Sequence, residues 1–379
     1  MAKRIILAAA GAGKTYHICH SVDVDKRNLI LAFTHENVFN IQRELFDAFG
    51  LIPESTTVTT FDAFVYHNFI LPYEPSIGAH FNLPRFISKG ITTSDPPRRT
   101  IISSDGKAIP NTRYSNKTEL SHYVEDGKRY YCATLSELAL QVKKGKESLV
   151  KRATDRLRLF YEAVFIDEFQ DFRSYDYDLI IKIAKSLPEI TLVGDYYQHS
   201  VSGTNNTGKP FLAKKREVGY SEFIEKVRKE GFEVDEVSLS KSRRCSTSIC
   251  EFVQSKMGIP ISSSGENEGV VEWVNEDIDA ILSNDQVMKL VYKGSGEYSF
   301  SSMNWSYSKG DTVSSACVVL TDRFENLDQE EFSTSGIPQS TINKLYVALT
   351  RSKGNVYLVK ASQFNIVKSR YLRTSRSRK

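Results

Sequence analysis

Two short segments of this 379-residue chain combine residue types that suit nucleotide chemistry. The first, LAAAGAGKT (7–15), is rich in glycine and ends in Gly13, Lys14 and Thr15. Glycines allow successive backbone N–H groups to face one anion, a lysine reaches terminal phosphates, and a threonine hydroxyl can bind Mg²⁺. Ala8 stands at the first position of the usual spacing G-x-x-x-x-G-K-[ST], while the second half is intact. The segment predicts a phosphate-binding loop, and the alternative is a glycine-rich turn without a ligand.

The second segment, VFIDEFQD (164–171), places two carboxylates directly after an apolar run. Residues 163–166 are apolar and β-prone, so Asp167 and Glu168 are expected at the carboxyl end of a buried parallel strand, where α/β sheets bind ligands. There Asp167 would hold Mg²⁺ through water, and Glu168 would polarise an attacking water as general base. The alternative is a pair of solvated acids that cap a helix starting near Ser174. Together, the two segments predict hydrolysis of a nucleoside triphosphate.

The composition is typical of a soluble globular protein. Hydrophobic residues make up 40% of the chain and charged residues 25%, with a formal net charge of +4, so the overall charge does not indicate a nucleic-acid ligand. No run of about 18 apolar residues is present and the N-terminus lacks a signal-peptide pattern, so we expect no membrane span and no membrane partner. The five cysteines form no C-x-x-C pair. We therefore expect reduced thiols, without zinc or disulfides, in a cytoplasmic or nucleoid-associated protein, or in the host cytoplasm if a phage or virus encodes it.

Basic residues are concentrated in the segment 368–379, which has no acid. They are Lys368, Arg370, Arg373, Arg376, Arg378 and Lys379. Such a tail binds phosphate backbones readily. A solvated, disordered end is an equally weighted alternative.

Strands and helices alternate along the chain, which predicts an α/β fold of two domains with parallel sheets. The predicted strands are 4–9, 28–34, 57–61, 163–166, 190–194, 236–240, 316–321 and 355–360. The predicted helices are 15–20, 36–49, 135–161, 177–187, 221–229 and 337–353. Segment 71–121 is rich in Pro, Ser, Thr and Gly, which indicates an insertion with long loops. We expect a first domain at 1–70 and 155–210, an inserted subdomain at 71–154, a second domain at 211–367, and the basic tail at 368–379.

With these motifs the chain resembles the superfamily 1 helicases, most closely the UvrD/Rep-like branch, and the motifs follow the family's order. In the first half, LAAAGAGKT resembles the first motif, and LILAFTHENVFNIQREL (29–45) resembles the strand and helix that contact single-stranded DNA. TTFDAF (59–64) resembles the T-x-H-x-F signature, with Asp62 in place of His, and FIDEFQD resembles the Walker B motif. In the second half, LVGDYYQHS (192–200) resembles the motif V-G-D-x-x-Q, and LSKSRRCSTSI (239–249) resembles the motif L-x-x-N-Y-R-S. YSKGDTVSSACVVL (307–320) resembles the S-K-G motif, and YVALTRSK (346–353) resembles the motif Y-V-A-L-T-R-A.

The resemblance implies two RecA-like P-loop NTPase domains with parallel sheets, the first carrying an insertion. The span between the Arg244 motif and Lys309 is short, which implies a compact form without the large second-domain insertion of bigger relatives. The implied activity is that of an ATP-dependent helicase or translocase on single-stranded DNA, with 3′-to-5′ polarity. Its cofactors would be ATP and Mg²⁺, and ATP would be hydrolysed in a cleft between the domains.

The resemblance also assigns candidate site residues. Nucleotide binding falls to Gly11, Ala12, Gly13, Lys14, Thr15 and Tyr16, with Arg243 in place of the tyrosine that packs on the base, and metal binding to Thr15 and Asp167. The candidate catalytic residues are Glu168, Gln198, Arg244 and Arg351. Gln198 would contact the terminal phosphate or the attacking water. The two arginines would offset the developing charge of the phosphate as arginine fingers, which links hydrolysis to domain motion. For Arg351 the alternative is an ordinary cation at a helix C-terminus.

Nucleic-acid contacts are assigned to residues of three motifs. They are Phe33, Thr34, His35, Thr60, Phe61, Phe64, Ser308 and Lys309. The three phenylalanines could stack on bases, although such residues more often serve as core at strand ends.

The chain departs from the family at three places. Only seven residues precede Ala8, so we expect no counterpart of the upstream glutamine that reads adenine, which leaves the base specificity open. Arg243 replaces the base-packing tyrosine, and Ser200 to Gly203 stand where the family has DNA-stacking aromatic residues. Two alternatives therefore remain: an RNA helicase of the viral superfamily 1 type, or a nucleotide-switched ATPase that binds nucleic acid or a protein partner without unwinding. Single-stranded nucleic acid is the expected partner, with DNA favoured over RNA, and a protein partner is possible.

Overall fold

A computed structural model describes residues 2–144, 147–199, 208–213 and 216–373. The chain divides into two compact units. Unit 1 comprises Met1–Ile5, Thr15–Gly194 and Val201–Val234, and unit 2 comprises Ile6–Lys14, Asp195–Ser200 and Asp235–Lys379. Residues 200–203, which stand where the family has stacking aromatic residues, and the tail residues Arg376, Arg378 and Lys379 lie outside the described residues. The domain boundaries expected from the sequence remain predictions.

The strands of the described chain are short and spread over its whole length. They are β1 (Ala2–Leu7), β2 (Asn28–Ala32), β3 (Thr56–Thr60), β4 (Ile91–Thr92), β5 (Thr100–Ile102), β6 (Ala108–Pro110), β7 (Tyr130–Tyr131), β8 (Lys143–Lys144), β9 (Glu147–Ser148), β10 (Ala163–Ile166), β11 (Glu189–Gly194), β12 (Leu212–Ala213), β13 (Arg216–Glu217), β14 (Glu233–Asp235), β15 (Lys241–Ser242), β16 (Ser262–Ser263), β17 (Val271–Trp273), β18 (Met288–Val291), β19 (Ser302–Asn304), β20 (Ala316–Val319) and β21 (Val356–Val359).

The helices alternate with these strands, as the sequence predicted. They are α1 (Lys14–His20), α2 (His35–Phe49), α3 (Phe61–Val65), α4 (Glu74–His80), α5 (Leu135–Gln141), α6 (Leu149–Leu157), α7 (Ser174–Ala184), α8 (Tyr220–Lys229), α9 (Thr247–Met257), α10 (Ile278–Ser283), α11 (Gln339–Leu349) and α12 (Ala361–Val367). A π-helical turn at Tyr66–Ile70 follows α3. Within the described ranges, no helix combines the length and the apolar character that crossing a membrane requires.

The larger sheet has the strand order β14-β1-β11-β10-β2-β3. In unit 1, β10 pairs in parallel with β11 and with β2, and β2 pairs in parallel with β3. Every residue of β2 and of β10 is buried, as expected for central strands of a parallel sheet covered on both faces. The carboxyl ends of β2, β10 and β11 therefore share one edge, and the residues that follow them lie close together.

Unit 2 has a parallel sheet of its own, with the order β17-β21-β20-β18-β19. Its core includes Leu282, Cys317, Val319 and Phe364, packed with other buried apolar side chains. The two parallel sheets confirm the predicted α/β fold class.

The segment 71–121 consists of short elements joined by long loops, as predicted. The single helix predicted for 135–161 is wrong, because a hairpin of β8 and β9 separates α5 from α6. Val142 is extended after α5, and its carbonyl accepts from the Leu149 N–H at 3.0 Å. The Ser148 hydroxyl then accepts from the Lys151 N–H at 3.2 Å and so caps a new helix.

Two further element predictions are corrected. The strand predicted at 236–240 lies earlier, at β14, because the Asp235 carboxylate accepts from the Val237 and Ser238 N–H groups at 2.9 Å and turns the chain. The helix predicted to reach Lys353 ends at Leu349. Beyond it, Arg351 Nε donates to the Val347 carbonyl at 2.8 Å and satisfies a group of the last turn.

Candidate functional site

The phosphate loop follows β1 and adopts the backbone that its glycines allow. Gly11 and Gly13 have φ of +72° and +83°, a left-handed conformation that a side chain would strain. The Ala12 N–H donates to the Ala9 carbonyl at 3.2 Å and tightens the turn, after which α1 starts at Lys14. Left-handed residues in such a turn direct successive N–H groups toward one point, which is the geometry of an anion-binding loop.

Within unit 2 the phosphate loop is held by segments that are distant in sequence. The Ala9 N–H donates to the Leu239 carbonyl at 2.8 Å, and the Arg243 N–H donates to the Gly11 carbonyl at 2.9 Å. A Cβ on Gly11 would lie 2.6 Å from the Cβ of Arg244. Gly11 is therefore required both by its φ and by the close approach of the Arg244 segment.

Tyr346 fixes the same loop from another direction. Its side chain is fully buried, and its hydroxyl accepts from the Ala10 N–H at 3.0 Å and donates to Asp195 Oδ2 at 3.1 Å. Burial and the neighbouring Asp195 carboxylate raise the pKa of Tyr346 well above its ordinary value, so the hydroxyl stays protonated. The sequence analysis assigned no role to this side chain. Its signal was its place as the first residue of the segment that resembles Y-V-A-L-T-R-A.

Gln198 lies in the same polar cluster. It is buried, and its amide Nε2 donates to Asp195 Oδ2 at 2.9 Å. The Lys309 Nζ reaches the Gln198 carbonyl at 3.5 Å. Asp195 thus orients both Gln198 and Tyr346, which places the V-G-D-x-x-Q segment beside the phosphate loop within unit 2.

The expected metal ligands meet in unit 1. Thr15 Oγ1 donates to Asp167 Oδ2 at 3.3 Å, and Asp167 is buried directly after β10. A hydroxyl beside a carboxylate fits Mg²⁺, which is bound in nucleotide sites by one or two protein oxygens together with water and phosphate. The residues present therefore fit the predicted ion.

Glu168 has a backbone conformation that is unusual for its residue type. Its φ of +52° and ψ of +43° are left-handed, which costs a non-glycine residue about 1–2 kcal/mol. Its N–H donates to Asp167 Oδ1 at 2.8 Å. Strained backbone of this kind concentrates at functional sites, where the surrounding structure enforces it.

Gln170 holds the Glu168 side chain and was not singled out from the sequence. Its amide Nε2 donates to the Glu168 carboxylate, and the side chain is buried. A Cβ on Gly194 would lie 2.2 Å from Gln170 Oε1, so only glycine at the end of β11 admits this arrangement. Two features of the sequence pointed to this contact: Gln170 lies between the acids of the Walker B-like segment, and Gly194 lies in the V-G-D segment.

The structure assigns the two predicted arginine fingers different surroundings. Arg351 is buried, and besides its bond to Val347 its Nη1 lies 3.4 Å from the Ser308 carbonyl and 3.5 Å from the Asp311 carbonyl. In this arrangement Arg351 ties the end of α11 to the S-K-G segment, and its role as a finger stays a prediction. Arg244 is only half-buried, and its Nη1 donates to the Thr350 carbonyl at 3.1 Å.

The remaining nucleotide candidates are at the surface. Arg243 is exposed, and Tyr16 is 46% exposed with its ring stacked on His20 at a centroid distance of 3.7 Å. Both side chains are therefore accessible to a planar ligand group.

Half of the nucleic-acid candidates are buried. Phe61 is 1% exposed and Phe64 2%, so neither presents a face to a base, and the stacking prediction for them is corrected. Thr60 and Ser308 are also buried, and their hydroxyls cap α3 and donate to the Trp305 carbonyl, respectively. Phe61 and Phe64 are buried because their rings pack against Phe172 and Phe69, respectively. The candidates that stay accessible are Thr34 and His35, which are exposed, and Phe33 and Lys309, which are half-buried.

The chain was compared with protein-family models, with curated proteins and with solved structures. A profile of the AAA domain family matches residues 2–204. No curated protein matches the chain. Among solved structures, the helicase of PRRSV is similar with a TM-score of 0.44 and 12% identity over 97% of this chain and 54% of that one.

Two structures of arterivirus nonstructural protein 10, a helicase, are similar to the same degree. One has a TM-score of 0.45 and 12% identity, over 94% of this chain and 59% of that one. The other, a complex with DNA, has a TM-score of 0.44 and 13% identity, over 94% and 60%. The chain spans little more than half the length of these helicases. Since the profile match covers more than half of the 379 residues, the chain belongs to the AAA domain family.

Proposed function

We propose that this protein is a superfamily 1 motor of the UvrD/Rep-like kind that couples ATP hydrolysis to 3′-to-5′ movement on single-stranded nucleic acid, with DNA as the favoured strand. The Tyr346 hydroxyl carries this proposal, because it joins Ala10 of the phosphate loop to Asp195. Three of the resembling motifs, up to 336 residues apart, thus meet at one hydroxyl. A glycine-rich turn without a ligand would not require hydrogen bonds to two other motifs.

The chemical roles follow from the positions of the side chains. Lys14 would bind the terminal phosphates, and the backbone of Gly11 to Gly13 would donate to them. Glu168 would accept a proton from the attacking water at its carboxylate, which Gln170 holds in place. Mg²⁺, held by Thr15 and Asp167, would neutralise charge on the phosphates.

Arg244 is the candidate for charge stabilisation during phosphoryl transfer. Arg244 lies close to Gly11 of the phosphate loop, and its side chain is half-buried, whereas that of Arg351 is buried. A single mobile guanidinium can stabilise the developing charge. We propose Arg244 as the arginine finger and Gln198 as the residue that senses the terminal phosphate.

The accessible nucleic-acid candidates indicate where the strand would bind. Phe33, Thr34 and His35 follow the carboxyl end of β2, at the same edge of the sheet as the acids. We propose this edge as the strand-binding surface of unit 1. The five cysteines are free and buried, and we propose a cytoplasmic site of action for such thiols.

One assay tests the proposal. ATP turnover would be measured for the wild type and Glu168→Gln, without nucleic acid, with single-stranded DNA and with single-stranded RNA. We expect single-stranded DNA to raise turnover of the wild type, and Glu168→Gln to lower it by about 10²- to 10⁴-fold while nucleotide binding is kept. Greater stimulation by RNA would favour the RNA helicase, and normal turnover of Glu168→Gln would overturn the catalytic assignment.

A second candidate is a nucleotide-switched binding protein that does not translocate. The burial of Phe61 and Phe64 favours it, because these two rings are not available for stacking on bases. Turnover that neither nucleic acid raises would support this candidate against the motor.

A further inference from the structure

Arg173 lies just beyond the acid-bearing turn and bridges two carboxylates of unit 1. Its Nε donates to Asp176 Oδ2 at 2.8 Å, and its Nη2 donates to Asp62 Oδ1. The Asp176 side chain is 2% exposed and that of Arg173 is 16% exposed, so the bridge is largely withdrawn from water. Asp176 also accepts from the Ser136 hydroxyl at 2.6 Å, which fixes the bridge to α5.

Asp62 is the residue that departs from the T-x-H-x-F pattern. A carboxylate there gives Arg173 a second charged acceptor, so the start of α3 is tied by an ion pair to the start of α7. Charge-assisted bonds to a planar guanidinium fix both distance and direction. Asp62, which replaces the histidine of the family pattern, is thus paired with Arg173 in this chain.

Phe172 makes the corresponding apolar connection. Its ring contacts Phe33 edge-on at a centroid distance of 5.8 Å and Phe61 at 4.7 Å. Phe33 directly follows β2 and precedes the exposed Thr34 and His35. A ligand on these exposed residues would therefore act on Phe172 through one ring contact.

Only a short turn separates this connection from the general base. Phe169–Asp171 forms a single 3₁₀ turn, and Glu168 before it has the left-handed backbone that its surroundings enforce. A shift of Phe172 or Arg173 would be transmitted to Glu168, because a packed turn of this length cannot absorb it.

We propose that Arg173 and Phe172, with Asp62, are positioning residues that couple nucleic-acid binding at Phe33 to His35 to the placement of the Glu168 carboxylate. This inference rests on the proposed function, since it explains how a bound strand would raise ATP turnover. The coupling acts on turnover, and neither strand affinity nor unstimulated hydrolysis depends on it.

The test compares Asp62→Asn with a matched control, Glu162→Gln. Both replace a carboxylate by its amide in an ion pair of unit 1, and Glu162 pairs with Arg27 at 3.1 Å just before β10. The readouts are unstimulated ATP turnover, turnover with saturating single-stranded DNA or RNA, strand affinity from anisotropy of a labelled oligonucleotide, and thermal unfolding. For Asp62→Asn we expect stimulation to fall at least about fivefold, with unstimulated turnover and strand affinity unchanged, and for Glu162→Gln no change.

Wild-type-like stimulation of Asp62→Asn would overturn the coupling, as would a parallel loss of strand affinity or of unstimulated turnover. Phe172→Leu, which keeps the ion pair, is expected to give the same selective loss of stimulation. If both variants fail to fold, the residues are structural and the proposal is wrong. A wild type that no nucleic acid stimulates would overturn the proposed function itself, whereas a stimulated wild type with a stimulated Asp62→Asn overturns only the coupling.

Discussion

The hydroxyl of Tyr346 donates a hydrogen bond to the Asp195 carboxylate at 3.1 Å, and both side chains are buried. The same hydroxyl accepts from the Ala10 N–H at 3.0 Å. One oxygen atom therefore satisfies a backbone donor of the phosphate loop and a carboxylate that also accepts from Gln198. Because a buried donor or acceptor without a partner is costly, this hydroxyl determines the local conformation of the loop.

Tyr346→Phe is expected to lower the free energy of unfolding by about 1–3 kcal/mol, because it leaves the Ala10 N–H without its partner and removes a donor from Asp195. Nucleotide affinity should fall with it, since Ala10 belongs to the phosphate loop. Urea unfolding and titration with a fluorescent ATP analogue check both effects.

Tyr357→Phe is the matched control in unit 2. Its hydroxyl accepts from Asn355 at 3.2 Å, but the residue is only half-buried and water can replace the bond. Equal losses of stability and nucleotide affinity in the two variants would contradict the role given to Tyr346.

Gly11→Ala tests the close approach of the phosphate loop to Arg244. The new Cβ would meet the Arg244 Cβ at 2.6 Å, and φ is +72°. Gly258→Ala is the control, because its φ is +65° and nothing lies within 4 Å of the new Cβ. Both variants should lose about 1–2 kcal/mol for the left-handed backbone, measured by urea unfolding.

Only Gly11→Ala should lose nucleotide affinity, by about tenfold or more, which corresponds to roughly 1.4 kcal/mol of binding free energy. Isothermal titration with a nonhydrolysable ATP analogue would measure this difference. Unchanged affinity in Gly11→Ala would show that the loop does not depend on its contact with the Arg244 segment.

The two arginines should respond differently to substitution. Arg351→Ala would remove a charged donor from the carbonyls of Val347 and Ser308, which keep the Thr350 hydroxyl and the Asp311 N–H, respectively. Because the charged donor is lost, thermal unfolding should occur at a clearly lower temperature, with a loss of about 1–3 kcal/mol. Arg244→Ala should leave unfolding nearly unchanged and lower kcat by about 10³-fold or more, as expected for an arginine finger. Stable Arg351→Ala with a selective loss of kcat would return the finger role to Arg351.

Local patterns were sufficient to predict the fold class and the positions of the acids. The apolar run before Asp167 is β10 as predicted, since a fully buried parallel strand is apolar at every position. The helix over α2 followed from its spacing of apolar residues and from Gly50, which adopts the left-handed C-terminal cap.

Contacts between distant residues could not be predicted in the same way. The bond between Ala10 and Tyr346 spans 336 residues, and nothing in either local pattern indicates it. Phe61 has the residue type of a stacking group, but its contact with Phe172 is decided by packing. A buried Arg351 and a half-buried Arg244 likewise have the same sequence signal, and only their hydrogen-bond acceptors distinguish them.

The last prediction concerns the pH dependence of stability at Asp62. Burial raises the pKa of Asp62 to about 6, the neighbouring Asp176 adds to the rise, and Arg173 opposes it. Arg173, Asp176 and Cys132 are the titratable groups that face this carboxyl. Because the folded protein holds the proton more tightly than an unfolded chain with a pKa near 3.8, this site stabilises the fold at low pH, and the contribution is lost as pH rises through about 6.

The free energy of unfolding of the wild type, relative to Asp62→Asn, should therefore fall between about pH 4 and about pH 6 and then level off. Glu162→Gln gives the opposite sign, because hydrogen bonds from Arg27 hold the pKa of Glu162 below its ordinary value of 4.5, so that pair stabilises the fold above about pH 4.5 and the contribution is lost as pH falls further. Urea unfolding of the three proteins across this pH range measures both differences. A wild-type advantage over Asp62→Asn that grows with pH would mean that Arg173 outweighs burial at this carboxyl.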